Sequence, residues 1–288
     1  MAAASPDVAA ALARRPWPLQ LKAGLIIVGT IVLLGLLAPW IAPHPWDTIS
    51  IRTRFLTPNA TYWLGTDEYG RDVLSRLLMG TRLSLAMGLG ATLLSIAGGV
   101  PLGLVAGYFR GKTDEILMRA ADVLMAIPAI MLGLLVLAVT PPALWKTALA
   151  VGFVYIPLIA RVARSVTLGL ASEDFVQAAR ARAESTRYIL FHEILPNAWP
   201  PLIVEASLRV TYAILLGSAL SFLGLGAQPP SSDWGLMIAE ARDFIDRAPW
   251  IALAPGVAMC LLVIGINLVG DGLRERLDPR LKSRLQKA

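Results

Sequence analysis

Residues 83–109 read LSLAMGLGATLLSIAGGVPLGLVAGYF and form the longest stretch of this chain without a charged residue. About 20 predominantly apolar residues are enough for a helix to cross the hydrocarbon core of a bilayer. Glycine and alanine recur along the stretch, and small residues let membrane helices approach one another closely. The stretch therefore predicts a membrane-spanning helix that packs against another helix.

The composition of the whole chain agrees with this prediction. Of its 288 residues, 56% are hydrophobic and 16% are charged, whereas soluble domains contain roughly 45–50% apolar residues. The single cysteine, Cys260, excludes an internal disulfide and a multi-cysteine metal site. The net charge of +6 does not indicate a nucleic-acid partner, because in a membrane protein the position of Lys and Arg is more informative than their number.

Four further uncharged runs are long enough to span a membrane, namely residues 23–43, 123–145, 210–232 and 248–270. A sixth run, residues 147–160, ends at Arg161 and reaches full length if the stems of Arg161 and Arg164 extend to the interface. We therefore predict an all-α membrane protein with about six transmembrane helices. The first run exceeds the roughly 7–15 apolar residues of a signal peptide, so we interpret it as a retained span.

The span at residues 210–232 is predicted to begin earlier, near Trp199, which places two charged residues in its first turns. Glu205 and Arg209 are four positions apart, the spacing at which side chains meet on a helix. An intrahelical ion pair is the favoured interpretation, and a role with substrate or ions is the alternative.

The distribution of basic residues predicts the orientation. With the N-terminus in the cytoplasm, the segments on that side carry 17 Lys and Arg residues against 8 on the other side, and basic loops are retained in the cytoplasm. Both termini are then cytoplasmic, as are residues 173–197.

This topology divides the chain into four parts. They are a cytoplasmic tail (1–22), the first span with an outer segment (23–82), a core of five spans (83–272) and a second cytoplasmic tail (273–288). The core contains a second outer segment, residues 224–249, in which Trp234, Ile238, Ala241 and Ile245 follow helical spacing. This segment is either an amphipathic helix along the outer membrane surface or a solvated connection.

Catalytic chemistry is not predicted for this chain. The two histidines, His44 and His192, fall on opposite sides of the membrane in this topology, and no phosphate-binding glycine loop of the Walker type is present. We expect no catalytic residue, metal site or cofactor. The protein then requires an external source of work, or it is a passive channel.

One polar block interrupts the apolar chain, EDFVQAARARAESTRYILFHEILPN at residues 173–197. Its first half predicts a short helix with Ser172 as N-cap and an apolar face formed by Phe175, Ala178 and Ala179. Its second half predicts another short helix that ends at Pro196. Two such helices fit a groove on a cytoplasmic partner, and a structural loop packed on the inner helix ends is the alternative.

The stretch QAARARAESTRYILFHEILP resembles the coupling-loop motif of ABC importer permeases, which reads Glu-Ala-Ala, three residues, Gly, nine residues, Ile, any residue, Leu-Pro. Gln177 stands in place of the Glu, so no charge-dependent contact is expected there. Ala183 stands in place of the Gly and indicates a bend that does not require a positive φ. The resemblance implies that ATPase subunits dock on this loop through Glu173, Phe175, Gln177, Ala178, Ala179, Ala183, Ile194, Leu195 and Pro196.

Four more segments are similar to the dipeptide/oligopeptide/nickel group of these permeases, and to the second permease of such systems in particular. They are WLGTDEYGRDVLSRLLMGTRLSL (63–85), GYFRGKTDEILMRAADVLMAIP (107–128), SFLGLGAQPPSSDWGLMI (221–238) and NLVGDGLRERLDPRLK (267–282). From the residues alone, Gly65 to Asp72 form either a turn and helix cap, with Asp67 or Asp72 paired to Arg71 or Arg76, or a contact with peptide. Asp271 is interpreted as fixing the last span at the lipid headgroups.

The resemblance implies a type I ABC importer permease fold in a bacterial inner membrane. It also implies a second permease subunit, two cytoplasmic ATP-binding subunits and an extracytoplasmic solute-binding protein as partners, and short peptides as cargo. Nickel or another small solute is the alternative cargo, and an ion-driven secondary transporter is the alternative mechanism.

Overall fold

The computed structural model describes residues 17–138 and 141–277, and most of the predicted tails lie outside these residues. Besides two short 3-10 turns (Ile51–Thr53 and Arg242–Phe244), nine longer helices are found in the described part of the chain: α1 (Leu19–Ile41), α2 (Val73–Phe109), α3 (Gly111–Met125), α4 (Ala129–Leu137), α5 (Leu144–Leu170), α6 (Asp174–Ala181), α7 (Thr186–Phe222), α8 (Trp234–Ala241) and α9 (Trp250–Leu277). The only β-pairing among the same residues is an isolated bridge between Thr66 and Asp72. The all-α prediction is confirmed.

Five of these helices are long and apolar enough to cross a membrane: α1, α2, α5, α7 and α9. Helices α3 and α4 together pass the same test but are bent by 87° at the break between them. Counted as one broken span, this pair brings the total to the predicted six.

The uninterrupted third span predicted at residues 123–145 is wrong. The helix breaks at Pro128, because a proline has no N–H for the helical ladder and disfavours helical backbone at the residue before it. The residues on both sides of the break are apolar, so hydropathy alone predicts one continuous span. A new helix, α5, begins at Leu144 within the predicted span.

The long helices run between two ends of the bundle. At the cap end, residues 43–72 and 224–249 cover the helices, and the Thr147 hydroxyl near the start of α5 donates to the carbonyl of Leu225 (3.0 Å). At the loop end, Arg110 beyond α2 donates to the carbonyl of Leu168 in α5 (3.2 Å), close to α6. Helix α2 therefore runs from the cap end to the loop end. Helix α7 runs in the opposite direction and packs against it.

Helices α2 and α5 form the most extensive helix pair of the bundle. Gly99, Gly103 and Gly107 line the contact on α2 at intervals of four residues. A Cβ added at Gly103 would stand 2.4 Å from the carbonyl oxygen of Ala160 and 2.5 Å from the Cβ of Ala163. Because these are main-chain and Cβ atoms, which cannot rotate away, the closeness of the pair depends on the missing side chain.

Helix α8 is buried within the bundle, whereas the sequence pattern allows either a surface helix or a solvated connection. Trp234, Leu236, Met237 and Ala241 are buried, and α8 packs against α2, α7 and α9. The same helical spacing of apolar residues suits a helix that faces lipid and a helix that faces protein. Only the tertiary contacts show that the apolar side of α8 faces protein. Asp233 caps the helix by accepting from the N–H of Leu236 (3.2 Å).

The close α2–α5 contact can be tested by substitution. Gly103→Ala is expected to lower the free energy of unfolding by about 3 kcal/mol, the upper end of the range for an overpacked core. Helical circular dichroism during denaturation in detergent micelles measures this change.

Gly90→Ala, in the same helix, is the matched control. Its Cβ would meet only the Cβ of Ala148 at 3.9 Å, and alanine is the better helix former by about 1 kcal/mol, so it is expected to be neutral or stabilising. Equal destabilisation by both variants would contradict the proposed role of Gly103.

Candidate functional site: the loop between α5 and α7

The first helix of the polar block, α6, begins at Asp174 with Glu173 as its N-cap residue. The predicted N-cap at Ser172 is wrong, because the Ser172 hydroxyl donates to the carbonyl of Gly169 (2.9 Å) and so serves the end of α5. Only a short turn separates α5 from α6. The Ser172 hydroxyl therefore lies close to the end of α5 and bonds there, and it does not cap α6.

Helix α6 ends in a Schellman motif centred on Ala183. The N–H of Ala183 donates to the carbonyl of Arg180 (2.9 Å), and the N–H of Glu184 donates to that of Ala179 (3.2 Å), which is the bonding pattern of this helix ending. The motif requires a left-handed residue, and Ala183 has φ of +55°. The expectation that alanine at this position avoids a positive φ is therefore wrong.

The second half of the loop is not a separate short helix. Residues 189–194 form a π-helical turn in which the N–H of Leu195 donates to the carbonyl of Leu190, and the helix continues through Pro196 to Phe222. A wide π turn accommodates a residue that disrupts the regular helical ladder, and Pro196 lacks the N–H that this ladder needs. The predicted helix end at Pro196 is wrong, and the loop is continuous with span α7.

One face of the loop is buried against the bundle. Val176, Ala179 and Ile194 are each 0% exposed and belong to one hydrophobic cluster with residues of α2, α5 and α7, including Leu104, Ile159, Ala163, Ala198 and Leu202. Two of the predicted docking residues, Ala179 and Ile194, therefore contact their own chain.

The other predicted docking residues reach the surface to different degrees. Phe175 and Leu195 are partly buried at the edge of the same cluster, and five residues are exposed: Glu173, Gln177, Ala178, Ala183 and Pro196. The Gln177 amide is oriented by donating to the carbonyl of Ala171 (3.4 Å). Docking itself stays a prediction.

Two exposed aromatic residues were absent from the predicted docking set. Phe191 is 48% exposed, and Tyr188 stacks on His192 with ring centroids 4.9 Å apart. Both residues belong to the apolar set that the sequence of residues 187–195 offers for a partner, and Phe191 lies within the π turn.

Polar contacts fix the loop to the rest of the loop end. The Arg180 guanidinium lies 4.9 Å from the centroid of the Tyr108 ring at the end of α2. Arg182 bonds Glu193 across the loop (3.3 Å). The block is therefore a folded unit held on α2.

Ion pairs also connect α3 to α5 at this end of the bundle. Arg164 pairs with Asp114, and Arg161 pairs with Asp122. The predicted pair of Glu205 with Arg209 is confirmed within α7, with 2.8 Å between the charged atoms. The Arg209 guanidinium also lies over the rings of Tyr155 and Tyr212.

At the cap end, the stretch from Gly65 to Asp72 forms a turn and a helix cap. Asp72 caps α2 by accepting from the N–H of Ser75 (3.0 Å), and Asp67 pairs with both Arg71 and Arg76. The pairing predicted from the sequence is present. Both arginines also pair with Glu240 of α8. This partner could not be inferred from the sequence, because it lies far from the arginines in the chain.

Two parts of the chain match known protein families. Residues 99–283 match the family described as the binding-protein-dependent transport system inner membrane component. Residues 22–58 match the N-terminal transmembrane domain of oligopeptide transport permease C.

Relatives of similar length cover most of the chain. The dipeptide transport system permease protein DppC of Alkalihalophilus pseudofirmus is 40% identical over 90% of this chain and 86% of its own length. The di/tripeptide transport system permease protein DppC of Pseudomonas aeruginosa is 42% identical over 90% of this chain and 88% of its own. The glutathione transport system permease protein GsiD of Pectobacterium atrosepticum is 40% identical over 91% and 87%.

Among solved structures, a chain of the inward-facing MetNI methionine ABC transporter is similar, with a TM-score of 0.60 at 18% identity over 70% of this chain and 96% of that one. At this level of identity the likeness concerns the fold, and the fold is that of a type I ABC importer permease.

The left-handed Ala183 provides a test of the loop ending. Ala183→Gly is expected to stabilise the loop by about 1 kcal/mol, because left-handed backbone costs a residue with a Cβ roughly this much. Amide hydrogen exchange of residues 174–189 measures the local free energy of opening.

Ala178→Gly is the matched control, at an exposed position inside α6. There glycine is expected to destabilise by about 1 kcal/mol, its usual cost in a helix interior. Destabilisation by Ala183→Gly would show that the Schellman ending is not formed in solution.

Proposed function

The chain belongs to the family of binding-protein-dependent transport system inner membrane components, and we propose that it is the permease subunit of an ATP-driven importer of short peptides. The observation that carries this proposal is identity of 40–42% over about nine-tenths of the chain with permeases named for dipeptide and di/tripeptide transport. In this proposal the protein forms one half of a translocation path, and a second, similar permease forms the other half.

The proposed orientation places the loop end in the cytoplasm and the cap end outside an inner membrane. The loop then faces two ATP-binding subunits, and the cap faces a solute-binding protein that delivers the cargo. ATP is bound and hydrolysed by the partner subunits, and no cofactor in this chain takes part. The excess of basic residues in the segments at the loop end supports this orientation.

The loop has the mechanical properties that coupling requires. Its buried face, which includes Val176 and Ala179, joins it to α2 and α5, and its C-terminal half is continuous with α7. A displacement of the loop by the ATPases is therefore transmitted to three spans at once. ATP binding shifts the two-state equilibrium between inward-open and outward-open arrangements only through contacts that differ between these states.

The buried and exposed residues of the loop have different roles in this mechanism. Ala179 and Ile194 hold the loop on the bundle, whereas Ala178, Gln177 and Phe191 are available to a partner. The Glu205–Arg209 pair within α7 is assigned a structural role in this proposal, because the two groups pair with each other and the Arg209 guanidinium lies over the rings of Tyr155 and Tyr212.

Transport assays in vesicles test the proposed function. Membrane vesicles that contain the complete importer are expected to take up a labelled dipeptide when ATP is supplied, and unlabelled dipeptide should compete while nickel should not. Uptake that continues when ATP hydrolysis is blocked and stops when the proton gradient is removed would support an ion-driven transporter instead.

A substitution on the exposed face tests docking. Ala178→Glu is expected to reduce ATP-dependent uptake at least about tenfold, since a charge placed in a packed interface commonly costs more than 1.4 kcal/mol. Copurification of the ATP-binding subunits should fall in parallel, while the amount of inserted permease stays constant.

Ala120→Glu is the matched control, because Ala120 is also exposed at the loop end but lies on α3, outside the loop. It is expected to leave uptake and copurification unchanged. If Ala178→Glu retains both, α6 does not dock through this face.

A further inference from the structure

Four charged side chains form a closed ring beneath the cap end. The Asp67 carboxylate accepts from Arg71 Nε (2.6 Å) and from Arg76 Nη1 (2.8 Å). The Glu240 carboxylate accepts from Nη2 of Arg71 (3.0 Å) and from Nη2 of Arg76 (2.8 Å). Two carboxylates and two guanidinium groups balance in charge, and they join residues 65–72, α2 and α8.

A fifth charged group, Glu68, lies beside this ring without a balancing partner. Its Oε1 is 3.3 Å from Nη2 of Arg71, a long contact with a guanidinium that already serves two other carboxylates. Its Oε2 is buried and has no hydrogen-bond partner among the described residues, and the whole residue is only 6% exposed.

Among residues 17–138 and 141–277, no further cation pairs with the Glu68 carboxylate. Arg54 donates to the main-chain carbonyl of Glu68 (2.5 Å), and Tyr69 lies under the Arg71 guanidinium, 4.5 Å from its ring centroid. Asp72 is the N-cap residue of α2, and its Oδ2 lies 3.5 Å from Nδ1 of His44. Helix α9 contributes Ile251 to the small space between Asp67, Arg76 and Glu240.

The cluster therefore buries three carboxyl groups against two guanidinium groups. An uncompensated carboxylate is costly in a buried site and takes up a proton instead. Burial, with the neighbouring Asp67 second, raises the pKa of Glu68 to about 7, and burial raises the pKa of Glu240 to about 7. Glu240 accepts two charge-assisted bonds that favour its ionised form, so Glu68 is the group that holds the proton.

We infer that the Glu68 carboxyl group is a proton-binding site, and that loss of its proton weakens the contact between residues 65–72 and α8. The inference does not depend on the transported cargo. In the proposed orientation this site responds to the pH outside the membrane, because both segments belong to the outer cap.

The sign of the pH dependence follows from linkage. The native pKa of Glu68 lies above its ordinary value of 4.5, so the native state holds a proton that the unfolded state releases. The contribution of this group to stability is complete below about pH 4.5 and is lost as the pH rises through about 7. The cap is therefore more stable in mild acid than in mild base.

Amide hydrogen exchange of residues 234–241 tests this inference in the full-length protein. After correction for intrinsic exchange, protection of α8 is expected to fall about tenfold between about pH 6 and pH 8.5, because one pKa unit corresponds to a tenfold change. Glu68→Gln, which is neutral at both values, should show no such fall.

Asp243→Asn is the matched control, because Asp243 is an exposed carboxylate in the same segment that pairs with Arg242. It should retain the pH dependence of the wild type. A wild-type protein whose protection does not change with pH, or a Glu68→Gln variant that loses as much protection as the wild type, would overturn the inference.

Infrared spectroscopy of the wild type gives a second readout that does not require Glu68→Gln to fold. The carbonyl stretch of a protonated carboxyl group should be present at the lower pH and should disappear at the higher one. A wild type without this titrating band overturns the inference. If the band is lost in Glu240→Gln but kept in Glu68→Gln, the proton is on Glu240 and the assignment to Glu68 is wrong.

Discussion

The close contact between α2 and α5 is the constraint on which the remaining structure depends. Within a membrane there is no hydrophobic driving force between helices, so association relies on close packing. Gly99, Gly103 and Gly107 allow the α2 backbone to approach Ile159, Ala163 and Thr167 of α5. Because α2 begins at the ionic ring of the cap and ends beside Arg180 of the loop, its position fixes both functional ends of the molecule.

The loop between α5 and α7 combines rigidity with an exposed surface. Its buried residues continue the core of the bundle, and its π turn passes into α7 without a break. Pro196 fits this arrangement because the widened turn does not need its missing N–H. A partner that binds the exposed side therefore acts on α2, α5 and α7 together, which is the property expected of a coupling element.

The cap is held by charge as well as by apolar packing. Buried ion pairs often contribute little net stability, although removal of one partner is strongly destabilising. The ring of Asp67, Arg71, Arg76 and Glu240 joins two segments that are distant in the chain. Trp234 and the capping Asp233 hold α8 in the same arrangement from its other side.

The sequence by itself determined the helical membrane class, the six spans when the bent pair counts as one, the Glu205–Arg209 pair and the family. These features depend on local composition, on spacing within one helix or on contiguous motifs. The tertiary structure alone decided that Ala179 and Ile194 are buried, that Ala183 is left-handed, that the helix continues through Pro196 and that Glu240 completes the ring. The burial of Ala179 and Ile194 and the contact of Glu240 are set by residues that are distant in the chain. The Schellman ending and the π turn are closed by local hydrogen bonds, but alanine and the residues before Pro196 do not indicate these conformations by their type.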